Sequence, residues 1–151
     1  MANTQGIATS FKTELLSGIH ALGTTVVRAG TTADTIKGAL FLASATVGPS
    51  TTTYSTTGEA SGTGYTAGGA TVTNGTAPSS SGTTAFWTPS ASLSWSGLTL
   101  ASAVDALQLY NSTQGDKTIG VFTFGSLTIT AGTLTIAFPV NDASTGLVRI
   151  A

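Results

Sequence analysis

From residue 84 to the end, the chain is a series of short runs in which apolar or β-branched residues alternate with small polar ones, each closed by turn-forming residues. The runs predict strands over 84–87, 93–100, 104–110, 118–124, 127–130, 133–138 and 147–150. Their centres lie about ten residues apart, which leaves no room for crossover helices and calls for antiparallel neighbours, as in a sandwich or jelly roll. Threonine, with 31 residues, suits this arrangement because its branched Cβ packs on a pleated, half-exposed surface. The polar stretch Asn111-Ser112-Thr113-Gln114-Gly115-Asp116 reads as a turn between two strands. Ala131-Gly132 reads as a tight connection that pairs 127–129 with 134–136 in a hairpin.

The first half is less regular. Ile7, Phe11, Leu15, Leu16, Ile19 and Leu22 recur at spacings of three and four, which predicts one amphipathic helix over 7–22 with Lys12 on the opposite side. Ser10 or Thr9 can cap its start and Gly23 its end, while Gly18 weakens it by about 1 kcal/mol relative to Ala. A short β-branched strand is expected over 24–28. Over 36–43, Ile36, Gly38, Leu40 and Leu42 share one face, and Lys37, Ala39, Phe41 and Ala43 the other. Neither face is polar, so this strand is expected to be covered on both sides.

Residues 51–69 form a Thr/Ser/Gly stretch broken by Tyr54, Glu59 and Tyr65. A short strand over 70–73 leads to Asn74-Gly75, a hairpin-turn dipeptide, and residues 77–82 read as a loop. The resulting expectation is a mainly β fold, an antiparallel β-sandwich or jelly-roll-like body with one N-terminal α-helix. It occupies a single domain over 1–151, with the helix at 7–22 and the β-rich body at 24–150.

Charge narrows the function. Only 7% of residues are charged, against about 25% in an ordinary soluble domain, and the net charge is −1. No basic run tracks a phosphate backbone, so nucleic acid is not an expected partner. With 40% hydrophobic residues, highly charged disorder is excluded as well. The chain opens without a positive n-region or apolar core of a signal sequence, and its longest apolar-rich stretch, 38–48, falls far short of the roughly 20 residues that span a bilayer. Neither export by a leader in this chain nor a membrane partner is expected. A surface so poor in charge has little to keep copies apart, which favours an assembly that buries weakly polar faces over a monomer coated with Ser and Thr.

The catalytic inventory is thin. Cysteine is absent, which removes disulfides, thiolate metal sites and Cys nucleophiles. His20 is the sole histidine, with no second imidazole to share a metal, and its place near a helix end suits a solvated or capping residue better than a ligand or base. No Gly-x-Ser-x-Gly elbow is present, and the two Glu and four Asp are scattered over turns and ends. Gly62-Thr63-Gly64-Tyr65-Thr66-Ala67-Gly68-Gly69 lacks the Lys-Ser/Thr ending of a phosphate loop and precedes no helix, so its glycines serve backbone conformation. No catalytic residue, cofactor or metal site is expected. The Asn111-Ser112-Thr113 and Asn74-Gly75-Thr76 sequons read as chance matches without a leader. Trp87 and Trp95 read first as core. Tyr65, in a Gly-rich loop, reads as an interface residue. Glu59 is the sole charge between Lys37 and Asp105, and is either a solvated loop residue or a buried carboxylate partnered from elsewhere in the fold or a neighbouring subunit.

Several segments carry a resemblance. They are Phe11-Lys12-Thr13-Glu14-Leu15-Leu16, Lys37-Gly38-Ala39-Leu40-Phe41 and Glu59-Ala60-Ser61-Gly62-Thr63-Gly64-Tyr65-Thr66-Ala67-Gly68-Gly69. Leu109-Tyr110-Asn111-Ser112-Thr113, Phe122-Thr123-Phe124-Gly125, Ile136-Ala137-Phe138-Pro139 and Arg149-Ile150-Ala151 follow in order. Together they resemble a family of small virion proteins of tailed bacteriophages, similar to capsid decoration, or cement, proteins. The resemblance implies a non-enzymatic trimer on the outer capsid surface at local three-fold axes, with the major capsid protein as partner, after synthesis in the host cytoplasm. The residues then expected at interfaces are Phe11, Leu15 and Ile19 on the helix, and Glu59 and Tyr65 in the loop region. The rival reading is a host-surface or carbohydrate-binding module of a tail fibre or baseplate, with Trp87, Trp95 or Tyr65 exposed for stacking. A virion-associated hydrolase ranks third.

Overall fold

The computed structural model describes residues 3–8, 11, 15, 19–20, 22–24, 33–82 and 84–150. The alternation over 36–43 produces strand β2 (Ile36–Leu42), preceded by a two-residue edge strand β1 (Gly6–Ile7). After β2 come β3 (Gly62–Thr63), β4 (Ala70–Thr71), β5 (Ser79–Ser81), β6 (Thr84–Trp87) and β7 (Leu93–Leu100). β8 (Val104–Asn111), a 3₁₀ turn (Ser112–Gln114), β9 (Lys117–Leu127), β10 (Gly132–Ile136) and β11 (Val148–Ile150) complete the order. The fold is mainly β with antiparallel sheets. A five-stranded sheet runs β1-β9-β8-β2-β4, and two three-stranded sheets run β10-β7-β3 and β11-β6-β5.

Both faces of the five-stranded sheet are buried. On one side Ile36, Leu40, Val104, Leu107, Leu109 and Ile119 pack with Leu93, Trp95, Leu98 and Leu100 of β7, Trp87 of β6, Leu134 of β10 and Val148 of β11. Ala39, Phe41, Ala106, Tyr110 and Val121 form a second cluster on the other side, with Ala45, Val47 and Tyr54 packed against it. The 3₁₀ turn between β8 and β9 is capped by Asn111, whose Oδ1 accepts from the N–H groups of Thr113 and Gln114 at 3.2 and 3.1 Å. Among the described residues no helix is long and apolar enough to cross a membrane.

Four expectations are corrected, and one finer reading is left open. The helix over 7–22 is not seen: Ile7 pairs with Gly120 as part of β1, and the Ala8 N–H donates to Ile119 O at 3.3 Å. Beyond Ala8, that stretch lies mostly outside the described residues, of which Phe11 and Leu15 alone have helical backbone. Phe11 and Leu22 are buried and Ile7, Leu15 and Ile19 half-buried, and the open edge of β9 decided the backbone at Ile7. A jelly roll is not confirmed: beside the five-stranded sheet the strand order gives two three-stranded ones. Within the loop expected over 77–82, Ser79–Ser81 is strand β5 paired to β6, with Gly82 at φ +58° making the turn. Asn74-Gly75 does not join paired strands. The Asn74 side chain instead accepts from Gly23 N at 2.8 Å and donates to Gly23 O at 3.2 Å. Finally, 127–130 is no separate strand: β9 runs through Gly125 to Leu127, and β10 pairs with β7, not with 127–129. The Leu134 side chain reaches the core opposite Trp95, and that burial outweighs the local turn. Of the strand expected over 24–28, residues 25–28 lie outside the described residues.

Leu107 is fully buried at the centre of the larger cluster. Leu107→Ala is expected to lower unfolding free energy by about 2–5 kcal/mol through lost burial and a residual cavity, as read by urea denaturation. A loss below 1 kcal/mol would contradict this core.

Candidate functional site

A carboxylate removed from water needs donors, and Glu59 finds them in tyrosines. Residues 58–60 run along β2, with Leu42 N–H donating to Gly58 O at 2.9 Å and Ala60 N–H to Leu40 O at 2.8 Å. This places the Glu59 side chain, 8% exposed, over the second face of the large sheet. Its Oε2 accepts from Tyr54 Oη at 2.6 Å, and its Oε1 accepts from Tyr65 Oη at 2.8 Å and Gly68 N at 2.7 Å. Tyr65 Oη also accepts from the Leu40 N–H at 2.9 Å. Tyr110, on β8, donates to Gly68 O at 2.8 Å and stacks on Tyr54, ring centroids 4.4 Å apart and planes 9° from parallel.

All three tyrosines of the chain therefore meet around one carboxylate. Gly68 and Gly69 make this closure sterically feasible. Gly69 has φ +69°, and a Cβ there would collide with the carbonyl of Gly38. A Cβ on Gly68 would lie 3.3 Å from Tyr110 Oη and 3.4 Å from Lys37 Nζ, which reaches the same corner.

Burial pushes the phenols of Tyr54 and Tyr65 well above the ordinary tyrosine value of 10.0, reinforced by their bonds to Glu59, since a phenolate beside a carboxylate is repelled. Burial likewise pushes Tyr110 up to about 12, with the charges of Asp116 and Glu59 adding to it. The phenols thus remain neutral donors at physiological pH. The cluster is suited to holding residues 54–69 against the sheet, and leaves residues 55–57, 61–64 and 66–67 exposed on its outer side.

A second polar centre lies at the far end of β8. The buried amide of Asn111 donates to Asp34 Oδ2 at 2.7 Å and lies 3.1 Å from His20 Nδ1, while Gln114 Nε2 donates to Asp34 Oδ1 at 3.2 Å. An amide nitrogen can only donate, so in this contact His20 Nδ1 is the acceptor. The ring lies 4.7 Å from that of Phe11. Together with Leu22, Trp87 and Val148, His20 lines an apolar cavity of about 120 Å³. The expectation of a solvated or capping histidine is corrected: His20 is buried, because this network satisfies it.

The residues singled out from the sequence are thus dispersed. Glu59 and Tyr65 are brought together, with Tyr65 half-buried, while Phe11 is buried elsewhere, and Leu15 and Ile19 are half-buried. Trp87 and Trp95 are 1% and 6% exposed, and the Trp87 indole N–H donates to Thr76 O at 3.0 Å. Tyr54 and Tyr110 were missed. The available signal was that an isolated carboxylate and only three tyrosines occur in the whole chain. His20, Asp34 and Asn111 are too far apart in sequence to have signalled their meeting. Among the described residues no group of three or more His, Asp or Glu is arranged to hold a metal. Comparison with known proteins adds no relative: no family model, no curated protein and no solved structure matches the chain.

Two outcomes are expected. Tyr65→Phe strands the Leu40 N–H and removes a donor from Glu59, so it should cost about 1–3 kcal/mol of stability by chemical denaturation; an unchanged midpoint would deny the contact. Alkaline titration followed at 295 nm reads only this cluster. Because the folded phenols hold their protons above pH 10.0 and the unfolded ones do not, stability is full below that value and falls as pH rises towards about 12. Tyrosine ionisation near pH 10 without unfolding would be incompatible with the burial described.

Proposed function

We propose that this protein is a non-enzymatic decoration, or cement, protein of a tailed-phage capsid, acting as an oligomer, a trimer by preference, on the outer head surface. Two lines support the reading. One is the resemblance of the segments from Phe11 to Ala151 to small phage virion proteins. The other, which carries it, is the surface. Of the eight charged residues described, Asp34 and Glu59 are buried, Lys37, Asp105, Asp116, Lys117 and Asp142 are half-buried, and Arg149 alone is exposed. Val140, 71% exposed, and the exposed Leu127 and Ile150 stand in that nearly uncharged surface. A solitary soluble domain keeps copies apart with charge, and this surface has little with which to do so.

In this reading the Glu59 cluster holds residues 54–69 in one conformation before docking, which lowers the ordering cost of contact with the major capsid protein or a neighbouring protomer. Binding only to the expanded shell stabilises that shell by mass action, and a trimer that touches several capsid subunits gains avidity. The rival tail module called for Trp87, Trp95 or Tyr65 as an exposed stacking platform. Both tryptophans are in the core, and the Tyr65 hydroxyl is engaged by Glu59 and Leu40.

Light scattering after size exclusion should give three times the chain mass, and a stable monomer at micromolar concentration would count against assembly. Immunogold labelling of virions should mark the head. Label confined to the tail would reverse the assignment.

A further inference from the structure

Away from the Glu59 cluster, a groove of about 350 Å³ opens between Thr76, the β6–β7 connection and the segment after β10. That volume lies at the lower end of the roughly 300–1,000 Å³ in which small-molecule sites fall. Four hydroxyl residues line it (Thr76, Thr88, Ser90 and Ser92), with the Asn141 amide and the Phe138 ring, and no charged side chain among the described residues does. Two of the hydroxyls are fixed. Ser90 Oγ donates to Thr73 O at 3.0 Å and accepts from Gly75 N at 3.1 Å, while Thr88 Oγ1 accepts from Leu147 N at 2.8 Å.

The walls are held as well. Trp87 Nε1 ties Thr76 through its carbonyl, and Asp142 Oδ1, next to Asn141, accepts from Ser144 N and Thr145 N, both at 2.7 Å. By contrast, Asn141 Oδ1 is buried with no hydrogen-bond partner. A buried acceptor in that state is unfavourable, and a hydrogen-bond donor brought to it by a ligand would relieve it.

We propose that this groove binds a neutral saccharide, with hydroxyl groups of the sugar exchanging hydrogen bonds with Thr76, Ser92 and Asn141 and its C–H face lying on Phe138. Hydroxyl side chains both donate and accept, so they answer sugar hydroxyls in either sense. An ionic ligand would find no counter-charge on these walls. The inference does not rest on capsid assembly, and either can fail without the other.

The test is amide chemical-shift titration of the ¹⁵N-labelled protein with glucose, galactose, mannose, N-acetylglucosamine and the anionic glucuronic acid. At least one neutral sugar should shift the amides of Ser90, Ser92 and Asn141 with a millimolar dissociation constant, and glucuronate should not. Ser92→Leu places an apolar side chain in the groove from an exposed position, and should weaken binding at least about tenfold while leaving the thermal midpoint unchanged. Asn141→Ala should weaken it by about three- to tenfold. Tighter binding of the matching trisaccharide identifies a polymer as the source, and equal binding identifies free sugar; both support the site. No shift with any neutral sugar, shifts that persist in Ser92→Leu, or equal binding of glucuronate would overturn it.

Discussion

A sheet that is apolar on both faces must be covered twice, and the rest of this molecule follows from how the two covers are made. On one face the cover is conventional: Leu93, Trp95, Leu98 and Leu100 of β7, with Trp87 and Leu134, exclude water from Ile36, Leu40, Leu107 and Leu109. Over the other face lie Phe41, Ala39 and Tyr110, and the segment that must cover them is rich in Thr, Ser and Gly. Such a segment has little apolar area to offer, so it is held by directed hydrogen bonds. Glu59 is the acceptor on which Tyr54, Tyr65 and Gly68 converge, and Tyr110 closes the arrangement by bonding Gly68 from the sheet itself.

This way of covering the sheet has an outward consequence. Among the described residues, Glu59 and Asp34 turn inward, and the exposed surface is made mainly of small hydroxyl, alanine and glycine residues. Such a surface is well suited to close contact with another protein, because little desolvation of charge opposes it. The hydroxyl-lined groove near Asn141 is a different product of the same composition, a place where the residues left outside form a concave wall. The proposed structural role rests on the first feature, and the proposed sugar site on the second.

How far the sequence could be read depended on whether local pattern and tertiary contact agreed. β7 was legible to the residue, and β2 was legible with both its faces, because period-two alternation and burial point the same way there. At Ile7 they diverged: spacings of three and four pointed to a helix, while the unpaired edge of β9 took the backbone into a strand. Asn74-Gly75 and Ala131-Gly132 carried the local signature of hairpins, yet the strands beside them pair with β2, β6 and β7. For the site, the isolation of Glu59 was visible, and so was Tyr65. That Tyr54 and Tyr110 join them depends on stacking across β8, which no spacing records.

What the sequence by itself determined is a β-rich chain with antiparallel strands, a central strand hidden on both sides, and a surface short of charge, because alternation and composition act residue by residue. Which strand lies beside which, where the lone carboxylate finds its donors, and how His20, Asp34 and Asn111 come to share hydrogen bonds were decided only by the tertiary structure. The Asn111 contacts join residues 91 and 77 positions apart, and the tyrosines that bond Glu59, only five and six positions from it, reach it because residues 54–69 fold over the sheet; the free energy of both comes from mutual burial that exists only once the sheets have closed on each other.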